Sequence, residues 1–491
     1  MIRIRLTSPL LTCLAFTALA QAPPPAPAVT KYLKVNTPVV VLNHVRLIDG
    51  TGAPALEDQA LTIESGKITR IEPASTLKPP ATATLLDLTG RTIMPGIVGM
   101  HDHMYYIARP NRSSEGPGDP PLIVPQMSFS APRLYLAAGV TTLRTTGSVE
   151  PYTDLNLRTQ IDAGQLPGPH MDVTGPYLEG SPSPFLQMHN LRDPADATAT
   201  VAFWAAQGVT SFKAYMDITR AELKAAIDEA HKRHIKVTGH LCSVTYPEAA
   251  ELGIDNLEHG FYVNTQLDPG KQPDLCPETM GAPTLTKMTS GSPEAKALID
   301  LLIAHHVAVT STLPVFESDD PFHVHLQTRV LETMSPSARQ DYLTVRNLEM
   351  MRATANPQAA ADHLKLLQNE MALERQFVAA GGLLLAGPDP TGDGGVLPGF
   401  GDQREIELLV QAGFSPLEAI RIATLNGAIY LDQQAHIGSL APGKNADIVV
   451  VKGDPSTHIA DIENVEIVFK DGVGYDSPKL FESVKGRFGQ Y

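Results

Sequence analysis

From Tyr32 to about Pro95 apolar and polar positions alternate in short runs, as in Val39-Val40-Val41-Leu42, Ala60-Leu61-Thr62-Ile63 and Ile68-Thr69-Arg70-Ile71, broken by turn residues such as Gly66 and Lys67. Such runs predict β-strands. The same grammar returns near the far end, in Ala446-Asp447-Ile448-Val449-Val450-Val451 and Val465-Glu466-Ile467-Val468-Phe469. Neither set buries an apolar face alone, so the two are expected to pack as one small composite β-sandwich from residues 32–95 and 432–491.

Between them, over residues 96–431, buried-looking strands alternate with helical patterns: Gly96 to His103, Val140 to Thr145, Met171 to Tyr177, Val209 to Tyr215, Ile235 to Leu241, Ile254 to His259, Val307 to Leu313 and Leu383 to Asp389. Helix starts are marked by capping pairs, Thr219 with Glu222 and Ser415 with Glu418. Eight β/α alternations predict an α/β fold of the (β/α)₈ TIM-barrel type, with chemistry at the C-terminal strand ends. A doubly wound open sheet is the competing layout, but no Gly-rich phosphate loop follows the first strand. Three segments interrupt the rhythm, Met104 to Pro132, Tyr262 to Ser292 and Pro314 to Asn369, and are expected to hold substrate selection.

A chain of 491 residues exceeds one core and agrees with a large unit plus a smaller one. Residues 1–20 read as a secretory signal: Arg3 and Arg5, an apolar run from Leu6 to Phe16, then Ala18-Leu19-Ala20. The run is too short to span a bilayer, so an exported, periplasmic or secreted protein without stable membrane insertion is expected. Thr12 before Cys13 is the wrong residue for a typical lipidation site. Residues 21–31, rich in Pro and Ala, read as a stiff tether. Losing the two leader arginines moves the formal charge from −15 to −17, a surface that disfavours nucleic acid as a partner and leaves a small-molecule substrate. Assembly into a homo-oligomer is open. Cys242 and Cys276 remain after cleavage; export permits a disulfide, but a chain this large does not need one, and two separate buried thiols are expected.

The first predicted strand ends in His101-Asp102-His103, which puts two imidazoles on one side of an extended chain, where both can bind one divalent ion. Spacing alone is weak evidence, because His323-Val324-His325 repeats it in an interrupted stretch that reads as surface loop. Further strands end on residues of the same chemistry. Lys213 lies inside the apolar run Thr210 to Tyr215, where a lone ammonium is costly. His240 ends Val237-Thr238-Gly239-His240, His259 ends Asn256-Leu257-Glu258-His259, and Asp389 ends Leu384 to Asp389. In a barrel these ends converge on one mouth.

With these motifs the chain resembles the amidohydrolase superfamily, in particular the binuclear branch related to imidazolonepropionase and metal-dependent Xaa-Pro or Xaa-basic dipeptidases. The likeness extends from Asp87-Leu88-Thr89-Gly90 through Glu258-His259-Gly260 to Ile437-Gly438-Ser439-Leu440-Ala441-Pro442-Gly443-Lys444-Asn445-Ala446-Asp447. The resemblance implies two divalent metal ions, zinc by default. It gives His101 and His103 to the more buried ion, His240 and His259 to the more exposed one, and makes N-carboxylated Lys213 the bridge. Asp389 is then a ligand and the general base, with Asp393 as the spare candidate. The implied reaction is hydrolysis of an amide-type C–N bond, in a peptide, N-acyl amino acid, related amide or carbamate, by a hydroxide held between two ions. Tyr215 and Tyr262 could donate to a substrate oxygen, and Arg144 could hold a substrate carboxylate, although an ion pair inside the barrel suits Arg144 better.

Other activities on this scaffold are deamination and phosphoester hydrolysis. A deaminase normally carries a glutamate three residues after the fifth-strand histidine, and position 243 is Ser. A metal-free binding scaffold is a different class again, and the six filled ligand positions count against it.

Overall fold

The computed structural model describes residues 26–107, 123–180, 183, 185–324, 326–391 and 394–490. The leader, Cys13, His325 and Asp393 lie outside the described residues.

Six strands come first: β1 (Leu33–Val35), β2 (Val39–Leu47), β3 (Leu56–Glu64), β4 (Lys67–Pro73), β5 (Thr84–Asp87) and β6 (Arg91–Pro95). Each of the eight segments predicted to follow overlaps a strand: β7 (Ile97–Gly99), β8 (Val140–Arg144), β9 (His170–Asp172), β10 (Ser211–Ala214), β11 (Lys236–Gly239), β12 (Asn256–Glu258), β13 (Ala308–Ser311) and β14 (Leu384–Ala386). The chain then returns through β15 (Ile448–Lys452), β16 (Val465–Lys470) and β17 (Val473–Asp476).

The expected composite unit forms, as one nine-stranded sheet instead of two facing ones. Its order is β1-β17-β16-β15-β6-β2-β3-β4, with β5 also on β2. The seam between the two ends of the chain is the antiparallel pairing of β6 with β15, from Ile448 opposite Pro95 to Lys452 opposite Arg91. The sheet curls so that its β4 edge meets the segment entering β15: Ala446 N donates to Gly66 O and Ile68 N to Lys444 O. Val40, Leu42, Leu61 and Ile63 from the first segment thereby enclose one apolar core with Ile448, Val450, Ile467 and Phe469 from the last. Each such side chain contributes about 1.5–3 kcal/mol on burial.

The middle of the chain is α/β, with β7-β8-β9 and β10-β11-β12-β13-β14 as two parallel sheets. The ladder thins between β9 and β10 because β9 is only three residues long, leaving the isolated parallel bridge Thr174 to Ser211. At the other edge Met100 N donates to Ala386 O and Asp389 N to His101 O. Gly387 permits that approach: a Cβ there would lie 2.2 Å from His101 N. Parallel strands covered by helices are buried on both faces, and β8, β10, β12 and β13 are buried at every position. Both predicted capping boxes form, Thr219 with Glu222 and Ser415 with Glu418.

Two expectations are corrected. The tether ends early: Pro27–Thr30 is a short helix, Val29 is fully buried, and Ala26 N donates to Gly164 O. Valine and tyrosine give the end of this Pro/Ala stretch an apolar anchor. Cys242 and Cys276 form a disulfide, because the loop after β11 runs beside residues 262–292 and brings their Cα atoms to 4.9 Å. Of the interrupting segments, the third is mostly helical, with helices Thr328–Thr333, Pro336–Ala355 and Pro357–Ala379. Among the described residues no helix is long and apolar enough to cross a membrane.

Candidate metal centre

The C-terminal ends of the parallel strands gather all six residues proposed from the sequence. His101 and His103 follow β7 with ring centroids 5.2 Å apart, while Asp102 between them points the opposite way, toward Tyr135 and Asp402. His259 lies 4.7 Å from His101 and 4.3 Å from His240, ring to ring. Lys213 Nζ is 3.2 Å from His101 Nε2, and Asp389 Oδ1 is 3.2 Å from His103 Nε2 and 3.8 Å from His101 Nε2. Among the described residues the one set of three or more such ligand atoms lying mutually within 4.8 Å belongs to His101, His259 and Asp389. His259 and Asp389 hold positive φ, 69° and 47°. Non-glycine residues persist in that region where the surroundings over-determine them, as they do at functional sites.

The hydrogen bonds fix which ring nitrogen faces the cluster. His101 Nδ1 lies 2.7 Å from Glu258 Oε2 and donates to that carboxylate, which turns the lone pair of Nε2 toward Lys213 and Asp389. His259 Nδ1 pairs with Thr312 Oγ1 at 2.9 Å, leaving Nε2 buried with no hydrogen-bond partner. An orphaned, buried imidazole nitrogen beside three more imidazoles, a carboxylate and a lysine fits a divalent cation. Burial, and after it the neighbouring Lys213 charge, pushes His101 well below the usual imidazole range and His240 down to about 3. Neutral imidazole is the ligating form. Burial brings Lys213 down to about 8 against the opposing pull of Glu258 and Asp389. For Asp389 burial acts upward, but His101, His103 and Lys213 outweigh it and hold the carboxyl well below its usual range.

Two of the three proposed substrate contacts are placed elsewhere. Arg144 is fully buried beneath the cluster, donating to Glu258 Oε1 and Asn256 Oδ1 at 2.8 Å each and to Met100 O at 2.6 Å. It forms the structural ion pair, because the Glu258 carboxylate and neighbouring acceptors inside the strands engage the guanidinium there. Tyr262 stacks on Phe316 with centroids 3.7 Å apart and meets His363 Nε2 through its hydroxyl at 2.9 Å, outside the cavity above the cluster. Tyr215 does line that cavity, its ring 5.0 Å from His240. Of the decoy pair, His323 meets Glu317 at 2.8 Å, away from the cluster.

The cavity, of about 240 Å³, has His103, Lys213, His240, His259 and Asp389 at its base. Four functional positions were missed from sequence. Tyr105 continues the alternation of His101 and His103, stacks on His103 at 4.4 Å, and shares a 2.6 Å hydrogen bond with Tyr177. The step of two from His103 was the available signal, and Tyr177 closes a predicted strand segment. Glu258 was hidden beside its ligand neighbour, and nothing in the sequence distinguished Thr312.

With this geometry in view, residues 342–474 match the model of the amidohydrolase family. A stretch of 68 residues, 14% of this chain and 11% of its relative, is 40% identical to adenine deaminase 2 of Jannaschia sp. (strain CCS1), so the match spans about a tenth of that protein. Among solved structures, a prolidase-type protein from Bifidobacterium longum is similar at 24% identity with a TM-score of 0.63, covering 91% of this chain and 98% of its own. A Xaa-Pro dipeptidase with methionine in its active site is similar at 19% identity and TM-score 0.63, over 89% of this chain and 100% of its own. A bottromycin amidohydrolase reaches TM-score 0.66 at 19% identity, over 94% and 95%. At these identities the structural likeness shows the fold. The amidohydrolase-family match lies in the C-terminal part of the chain, and the structural likeness shows that the fold of these proteins extends across nearly all of it.

Proposed function

We propose that this chain is an exported, periplasmic or secreted hydrolase that cleaves an amide-type C–N bond of a small molecule, using two divalent ions, zinc by default, at the mouth of a (β/α)₈ barrel. The observation that carries the reading is the meeting of His101, His103, Lys213, His240, His259 and Asp389 under one cavity, from strand ends spread over nearly three hundred positions. His101 and His103 would hold the deeper ion with Asp389, and His240 and His259 the outer one. Lys213 would bridge as its carbamate, since burial that brings it to about 8 leaves neutral amine to add CO₂. Ions so held polarise a carbonyl oxygen and acidify water.

The remaining chemistry belongs to the chain. Asp389, kept ionised by its neighbours, accepts the proton of the attacking water at Oδ1 and passes it to the leaving amine. Thr391 Oγ donates to the same oxygen at 2.9 Å and fixes its direction. Glu258 and Thr312 hold the His101 and His259 rings through Nδ1, as outer partners of metal ligands do. The Cys242–Cys276 disulfide supports an oxidising destination.

A second reading, deamination, is favoured by the short match to an adenine deaminase. Against it, Ser243 donates to Ile218 O and is buried, supplying no acid near His240. The test is a screen of dipeptides, N-acyl amino acids and adenine with the metal-loaded protein. Amine or acid release from the amides supports hydrolysis; ammonia from adenine alone overturns it in favour of deamination.

A further inference from the structure

Above the ligands the cavity has a one-sided chemistry. Every charged or titratable nitrogen or carboxylate on its surface, among the described residues, belongs to the six-residue cluster. The rest is apolar or hydroxylic: Ile107, Val124, Val149, Phe185 and Met188 pack with Tyr105 and Tyr177 into one hydrophobic cluster. Arg144, the guanidinium that sequence placed near the mouth, is sealed below the cluster on Glu258. The polar groups of the wall are hydroxyls: those of Tyr215 and Thr391, and the Tyr105–Tyr177 pair joined by a 2.6 Å hydrogen bond. A phenol is neutral near pH 7 at its ordinary pKa of about 10, so the pair offers an uncharged donor. A neutral phenol suits a carbonyl oxygen, whereas a carboxylate moved against this apolar wall loses its hydration and meets no counter-charge there among the described residues. The chain as a whole, at −15, also repels anions on approach.

We propose that the site selects an uncharged substrate with a bulky apolar substituent, a blocked peptide, a neutral N-acyl amide or a carbamate, over a free amino-acid or dipeptide carboxylate. The selection rests on the amide-hydrolase reading above. The apolar substituent lies against Val124, Val149 and Met188, and the Tyr105–Tyr177 pair meets a neutral carbonyl.

The experiment compares matched substrates on the full-length, metal-loaded protein: N-acetyl-leucyl-leucine with N-acetyl-leucyl-leucinamide, and N-acetyl-leucine with N-acetyl-leucinamide. The neutral member of each pair is expected to have a kcat/KM roughly 10- to 100-fold higher, the cost of an uncompensated charge expressed as a rate ratio. Equal or better turnover of the carboxylates overturns the inference and leaves amide hydrolysis standing. Cleavage of none of the four by protein carrying its metals removes the amide reading and this inference with it. A second variant probes the wall directly. Met188→Arg, which adds a guanidinium there, is expected to shift the carboxylate-to-neutral ratio at least about tenfold toward the carboxylate; an unchanged ratio overturns the assignment of this face to the substrate.

Discussion

In the nine-stranded sheet the inward positions are Val40, Leu42, Ile63, Val450 and Phe469, whereas in the parallel strands comparable buried positions hold His101, Arg144, Lys213, Asn256 and Glu258. Both regions are β-structure and both are dry inside. The sheet gains stability from each side chain it covers. The parallel strands spend burial on groups whose dehydration costs several kcal/mol each unless they satisfy one another. They do so in a chain of contacts: Arg144 to Glu258, Glu258 to His101, His101 to Lys213 and Asp389. One region is thus a source of stability and the other a place where charge is held ready for chemistry. The seam between β6 and β15 lets the first support the second, since β6 leads directly into β7 and its histidines.

The contrast predicts different failures in the two regions. The largest effect on activity is expected from Lys213→Ala, a loss exceeding the roughly 10- to 100-fold that removal of an outer partner costs, with partial return on adding acetate or formate. Steady-state rates with and without the acids check it, and full activity in the variant contradicts a bridging role. Next come two substitutions of similar thermodynamic size but opposite consequence. Glu258→Leu leaves Arg144 buried without its carboxylate and is expected to cost about 3–5 kcal/mol, together with weaker metal retention. Phe469→Ala opens the apolar core for about 3–5 kcal/mol and should leave metal content per folded molecule unchanged. Denaturant unfolding followed by elemental analysis separates the two; equal metal loss in both variants would dissolve the distinction.

The smallest effect concerns the join. His170 on β9 lies 3.5 Å from Asp162 and 2.8 Å from Asp471, at the β16–β17 turn. Burial acts to lower it, but the two carboxylates outweigh burial and Lys470 and raise it to about 9. A raised folded pKa contributes stability in full below about 6.5 and loses it as pH climbs through about 9. His170→Gln should therefore flatten the dependence of the unfolding midpoint on pH across that window, with little change in activity at its optimum. An unaltered slope excludes the pair of aspartates as the cause.

The strands and candidate ligands were legible because they obey local rules. Each predicted segment of the middle region overlaps a strand, since runs such as Val307 to Leu313 are too apolar to be surface. His240, His259 and Asp389 could be picked out because each ends such a run. What failed was set by distance in the sequence. Arg144 reads the same whether it faces substrate or Glu258, and only the approach of β8 to β12 across more than a hundred residues decides it. Tyr262 and Phe316 stack across an insertion whose path the sequence does not state. The disulfide depended likewise on a loop passing beside β11.

The central claim, that these six residues form a two-ion centre bridged by Lys213, is tested most directly by counting bound metal in the purified mature protein and in Lys213→Ala. Close to two equivalents in the former and no more than one in the latter is the predicted result. None in the former, after growth with zinc or manganese, would contradict it.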